Sequence, residues 1–214
     1  MFRAIVATQW KWTRSVVLLA TLAGFALPLA SLQTARNAST PQEFIGTMQA
    51  WGAAYALLAG AIGLLVALAA WGHDHQGRHV YALSLPISRP RYVLLRFFAG
   101  ALFLLAPTVA VLLASLAVTL SGAIPEGLHA FPLALTLRFL FAAAVAYALF
   151  FSIGSGTTKT AGIVLGIFAL LLFGQYLLEV VGARFDLLSH VADFLFIRPG
   201  VLSIFSGRWM LVDV

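Results

Sequence analysis

A chain of 214 residues that is 62% hydrophobic and only 9% charged, with a mean hydropathy of +0.99, has too few polar groups to cover a water-facing surface and reads as an integral membrane protein. Its formal charge of +6 does not point to nucleic acid, because Lys and Arg cluster beside apolar runs, where they face anionic headgroups and set orientation. The sequence contains no cysteine, which excludes a disulfide framework and any Cys-ligated metal.

In chain order, residues 1–14 carry Arg3, Trp10, Lys11, Trp12 and Arg14, which predicts an interfacial segment with indole rings at headgroup level. A cleaved signal peptide is the competing reading of the basic start and the apolar stretch after it; two tryptophans in a long basic region favour a retained segment. About 20 apolar residues cross the hydrocarbon, and five runs qualify: 15–32, 50–71, 92–120, 131–153 and 160–181. The third is long enough to be tilted or broken at Pro107. Backbone in lipid must satisfy its own hydrogen bonds, and no run alternates with a period of two, so the fold class is all-α, a polytopic transmembrane helical bundle. Gly52, Ala56, Gly60 and Gly63 line one face of the second span. Gly162 and Gly166 form GxxxG on the fifth, with Gly174 two turns further. Such stripes allow close helix approach, within one subunit or at a subunit interface. Beyond the fifth span, Asp186, Ser189, His190 and Asp193 oppose Leu187, Leu188, Val191, Phe194 and Leu195, the pattern of an amphipathic helix in an interface or on the bundle. Arg198, Pro199 and Gly200 end it. Residues 183–214 thus form an outer-face segment and tail of a single domain, 1–214.

Orientation follows from basic residues in the connections. Arg3, Lys11, Arg14, Arg78, Arg89, Arg91, Arg96 and Lys159 fall on one side, against Arg36, Arg138, Arg184, Arg198 and Arg208 on the other. The N terminus is therefore expected in the cytoplasm, in a cell (inner) membrane. Inside the apolar runs the ionisable groups singled out are Arg138 and Glu179, both near an edge; Arg91 and Arg96 read as headgroup contacts. A proton- or ion-coupled carrier usually needs midplane charge, so energy is expected to come from elsewhere.

The long polar island between the second and third runs, 72–91, is the most informative stretch. Gly77 interrupts a continuous helix, and Pro86 and Pro90 push Leu85 and Arg89 out of helical geometry. Leu83, Leu85 and Ile87 are apolar on a solvent-side loop, which marks a partner surface or burial against the bilayer. Gly77, Arg78 and the run Leu83, Ser84, Leu85, Pro86, Ile87, Ser88, Arg89 resemble the cytoplasmic loop of type-2 ABC exporter permeases. The resemblance implies a short coupling helix that docks on a separate ABC ATPase subunit. Partner-docking residues are then Gly77, Arg78, Leu83, Leu85, Pro86, Ser88 and Arg89, with Arg78 and Arg89 facing acidic groups. It also implies a permease working beside a second copy or a related permease, in contact with membrane lipid. ATP and Mg are held by the partner, and this chain binds no cofactor. The family often has a glutamate before the glycine, where this chain has Asp74 and Gln76, and usually a sixth span; 197–214 is too short and polar to be one, so that span is expected to be missing.

Three motifs invite enzymatic readings. His75 and His79 have the spacing of HExxH, but Gln76 stands where a proton-accepting glutamate is needed, so no metal ligand is assigned. Residues 154–160, GSGTTKT, fail the Walker pattern because Thr158 precedes Lys159. Ser155 and His190 fall on opposite membrane faces in the predicted topology, about 30 Å apart. No catalytic residue is assigned. The reading is a permease subunit moving an unidentified, hydrophobic or amphipathic cargo along a path lined by Phe97, Phe98, Phe103, Phe150 and Phe151, with residues 73–89 transmitting ATP-driven motion. The alternatives are a non-transporting membrane anchor and, third, an intramembrane enzyme.

Overall fold

The computed structural model describes residues 2–76, 88–156, 158–181 and 185–213. The helices are α1 (Phe2–Ala35), α2 (Pro41–Ala50), α3 (Gly52–Gln76), α4 (Arg89–Phe103), α5 (Leu105–Leu120), α6 (Pro132–Gly154), α7 (Thr158–Val180) and α8 (Leu187–Ala192). Two short strands, β1 (His129–Ala130) and β2 (Val212–Asp213), pair antiparallel. Four stretches of the described residues are helical, long and apolar enough to cross a membrane: Phe2–Ala35, Pro41–Gly72, Pro90–Leu120 and Pro132–Gly154. They coincide with the first four predicted spans. The chain divides into two compact units, residues 1–151 with 208–214, and residues 152–207.

The first unit sorts its side chains as a lipid-facing protein does. Leu19, Leu22, Leu57, Leu68, Leu113, Leu133 and Phe141 are exposed, while Ala35, Ala59, Ala70, Ala99, Ala114 and Ala142 are buried. Lipid tails solvate leucine well, so small residues go inside, where they let backbones approach. The buried hydroxyls turn back onto their own helices. Thr13 donates to the Gln9 carbonyl, Thr108 to that of Leu104 and Ser115 to that of Val111, at 2.9, 2.8 and 2.7 Å, which leaves no unpaired donor facing lipid.

α1 is one uninterrupted helix. The predicted interfacial segment 1–14 is therefore its first turns and not a separate element. It packs most extensively on α5, where a Cβ on Gly24 would sit 3.0 Å from the Pro107 carbonyl oxygen. The predicted break in the third span is real, and it falls at Leu104, between α4 and α5. Pro107 has no N–H for the Phe103 carbonyl, and its ring crowds that carbonyl. The chain responds with a tighter bond from Leu104 N to the Ala101 carbonyl, 3.1 Å. α2 starts on Thr40, whose side chain accepts from Glu43 N at 3.2 Å while the Glu43 carboxylate accepts from Ser39 N at 2.8 Å. This is close to a capping box. Trp51, between α2 and α3, donates from Nε1 to Thr34 Oγ1 at 2.8 Å, tying that elbow to α1.

Of the predicted stripe on the second span, Gly63 is the critical member. A Cβ there would lie 2.6 Å from the Ala143 carbonyl oxygen, from Ala146 Cβ and from Tyr147 N, so α3 and α6 meet backbone to backbone. Gly52 lies against Trp209, with a Cβ 3.1 Å from its carbonyl oxygen.

In the second unit, Asp186 caps α8 by accepting from Ser189 N at 3.1 Å, and Gln175 Oε1 on α7 accepts from Leu187 N at 2.8 Å. The predicted amphipathic helix is shorter than its pattern: α-helix over Leu187–Ala192, one π turn over Asp193–Ile197, then an extended Arg198 before Pro199, as a residue preceding proline prefers. The predicted outer-face segment 183–214 does not stay together, because Arg208–Val214 groups with the first unit.

Gly63→Ala is expected to destabilise the purified protein by about 1–3 kcal/mol, the range for overpacking a tight interface, seen as a lower thermal midpoint in detergent. Gly162→Ala and Gly166→Ala, where a Cβ meets nothing within 4 Å, should leave that midpoint within experimental error.

Candidate functional site

The end of the first unit that bears the polar island is built from the last turns of α3 and α6 and the first turns of α4. Most predicted docking residues, Gly77, Arg78, Leu83, Leu85 and Pro86, lie outside the described residues, as do Gly77 to His79 of the histidine motif. Ser88 is exposed and begins α4, its backbone carbonyl accepting from Tyr92 N at 3.1 Å. Arg89 is the first residue of that helix. Pro90 suits the first turn, where a missing N–H costs nothing.

Just inside this entrance stands Arg96, only 8% exposed. Its Nε donates to the Ala70 carbonyl of α3 at 2.8 Å, a second guanidinium nitrogen donates to the same carbonyl and the third to the Tyr92 hydroxyl. The guanidinium carbon lies 5.0 Å from the centre of the Trp71 ring and 5.5 Å from that of Tyr92. A planar cation with a rigid fork of donors is suited to this combination of bidentate contact and stacking. Trp71 in turn donates from Nε1 to the Phe151 carbonyl of α6 at 3.1 Å and packs its ring 5.0 Å from that of Phe151. Tyr147 donates to the Phe97 carbonyl of α4 at 3.1 Å. Gly100 makes room for it, since a Cβ there would collide with the Tyr147 hydroxyl. α3, α4 and α6 are thus joined in a ring of contacts directly behind the island.

Gln9 of α1 closes the cluster. A Cβ on Gly100 would be 2.9 Å from its Nε2. Gln9 is 4% exposed, and its amide lies beside the Tyr147 hydroxyl.

Arg96 overturns part of the sequence reading. Arg91 is exposed, as a headgroup contact should be, whereas Arg96 is buried within a span. The signal was present: Tyr92, Arg96, Ala99, Gly100 and Phe103 recur at helical spacing and are all buried. The aromatic path is also revised. Phe151 and Phe103 are buried, 3% and 7% exposed, Phe103 against Trp10 at 5.5 Å. Phe97 packs between Tyr147 and Phe151 at 5.2 and 5.3 Å. These rings fill the bundle, because each has a neighbouring ring at van der Waals distance. Phe98 is 58% exposed.

The three glycines predicted for helix packing separate. Gly174 faces Leu187, with a Cβ 3.3 Å from its Cδ2, while Gly162 and Gly166 face nothing within 4 Å among the described residues. No group of three or more His, Asp or Glu in the described residues is arranged to hold a metal.

The sequence model of the family described as "ABC-2 family transporter protein" matches residues 43–205, about three quarters of the chain, and the chain belongs to that family. It is an integral membrane protein and the membrane permease component of an ABC transporter, a class whose ATPase activity resides on a partner ABC subunit. Curated proteins and solved structures give no match.

Arg96→Lys keeps the charge but loses the fork and the stacking surface. We expect it to lower stability in detergent by about 1–2 kcal/mol and to raise the solvent accessibility of Trp71, read by acrylamide quenching in a variant whose other tryptophans are replaced by phenylalanine.

Proposed function

We propose that this chain is one membrane half of an ABC exporter whose separate ATPase docks on residues 73–89. The observation that carries the reading is the joint formed by Arg96. Its hydrogen bond to the Ala70 carbonyl and its stacking on Trp71 hold the two helix ends flanking the island together, so a push on the loop reaches α3 and α4 as one body. The Tyr147 and Trp71 contacts pass it to α6.

The predicted cytoplasmic orientation of the N terminus, in a cell membrane, puts this joint on the side where an ATPase and its ATP and Mg are found. In a permease of this kind the protein's own residues bind and position the partner, while the nucleotide chemistry takes place on the ATPase. The length of α7 supports a further crossing: at 23 residues it is about 34 Å long, enough for the hydrocarbon core. A second permease copy, or a related permease, would complete the pathway. Gly162 and Gly166 offer a face of α7 where another helix can approach closely. The cargo is a molecule able to enter between apolar helices.

Affinity purification from membranes in mild detergent tests the reading. An ABC ATPase should accompany the wild-type protein and be reduced at least tenfold with Leu83→Asp/Arg89→Glu. Absence of any ATPase from both preparations would remove the energy source and sink the proposal.

A further inference from the structure

The apolar helical stretch Leu187–Ile197 in the second unit is about 16 Å long, roughly half of what a membrane crossing needs. An apolar helix of that length is either a core helix or one lying in a membrane interface. Among the described residues it is not a core helix. None of its side chains is buried, and Phe194 and the following Val201 are 63% and 73% exposed. Helical spacing puts Asp186, Ser189, His190 and Asp193 on one face, with Leu188, Val191, Phe194 and Leu195 on the other.

The polar groups of this stretch are satisfied as they have to be where water is scarce. Leu187 N and Leu188 N donate to Gln175 Oε1 of α7 at 2.8 and 3.4 Å, and Ser189 N donates to Asp186 Oδ1 at 3.1 Å. The first three N–H groups of the helix, which water would otherwise have to satisfy, thus have partners within the protein. The His190 imidazole donates from Nδ1 to the Asp186 carbonyl at 2.7 Å and stacks on Phe185, with ring centres 4.5 Å apart. The hydroxyls of Ser189, Ser203 and Ser206 turn onto the carbonyls of Asp186, Gly200 and Ser203.

The start of the stretch lies back along α7. Gln175 is five residues short of Val180, where α7 ends, and a Cβ on its neighbour Gly174 would sit 3.3 Å from Leu187 Cδ2. Leu187 is therefore level with a point about 8 Å before the end of α7. Arg198 follows the stretch, its guanidinium carbon 5.5 Å from the centre of the Phe194 ring.

We propose that residues 187–201 lie in the lipid leaflet at the Val180 end of α7, with Phe194, Leu195 and Val201 among acyl chains, Ser189 and Asp193 toward the headgroups, and the Arg198 guanidinium at the level of the lipid phosphates. This rests on the reading of α7 as a further crossing. The occupant of the exposed apolar face is then phospholipid. The long Arg198 side chain keeps its apolar stem on Phe194 and its charge at the anionic headgroups.

The cysteine-free sequence allows single nitroxide labels on the whole protein, reconstituted in vesicles of phosphatidylcholine and phosphatidylglycerol. Power-saturation spectroscopy compares collisions with oxygen, which partitions into lipid, and with a water-soluble nickel chelate. Labels at Leu195→Cys and Val201→Cys should meet oxygen at least threefold more often than nickel, and a label at Ser189→Cys should give a ratio at least twofold lower. Arg198→Glu should lower the ratio at Val201→Cys at least twofold; an unchanged ratio would overturn the phosphate contact. Leu170→Cys, at an exposed position of α7, reports separately on the crossing. If Leu170→Cys meets lipid while Leu195→Cys is open to nickel, the stretch lies in water and the inference is overturned with the crossing intact. If both reagents are kept from Leu195→Cys, protein covers that face, and the inference is overturned in the same way. If Leu170→Cys is itself open to nickel, the crossing fails and takes the inference with it.

Discussion

The packing of α3 on α6 depends on one backbone-to-backbone contact. Gly63 sits against the Ala143 carbonyl, Ala146 and the Tyr147 nitrogen at a distance no side chain permits. That approach sets how far Tyr147 and Phe151 reach across the bundle. It lets Tyr147 find the Phe97 carbonyl above Gly100 and brings Phe151 under Trp71. Arg96 then has an aromatic wall to lie on and a free carbonyl face to hold. In a bilayer, where burying apolar surface gives little drive because lipid is itself apolar, such close packing and interhelical hydrogen bonds carry association.

The two ends of the bundle use the same chemistry. At the island end Arg96 donates to the Ala70 carbonyl and stacks on Trp71; at the other end Arg138 donates to the Arg208 carbonyl and stacks on Trp209, beside buried Leu211 and Val212. In each case a planar cation fixes the position of a tryptophan and of a backbone carbonyl together.

Much of this was legible in the residues. The positions of the first four spans, the all-helical class and the break before Pro107 followed from run length, composition and proline chemistry, which are local. What escaped was tertiary. Arg96 and Arg91 look alike in sequence, and only the face of α4 on which each falls separates a buried cation from a headgroup contact. In sequence the phenylalanines read as the lining of a path, because their partners, Trp10, Trp71 and Tyr147, are distant along the chain. The seam at residues 208–213 left no periodic signal at all, since a six-residue extended stretch with two ladder pairs is below the length at which alternation can be recognised. The predicted docking glycine, leucines and proline of the island lie outside the described residues, and the cluster behind them is visible only in three dimensions.

The break at Leu104 divides one span into halves that both pack on α1 and differ in their other partners. The half that follows the island, Arg89–Phe103, is bound to α3 through Arg96 and to α6 through Tyr147. The other half, Leu105–Leu120, is bound to α1 through Gly24 and the Pro107 carbonyl. A straight helix would oblige both to swing as one lever. Because the proline has already removed one backbone bond between them, bending the span at Leu104 costs less than bending an uninterrupted helix.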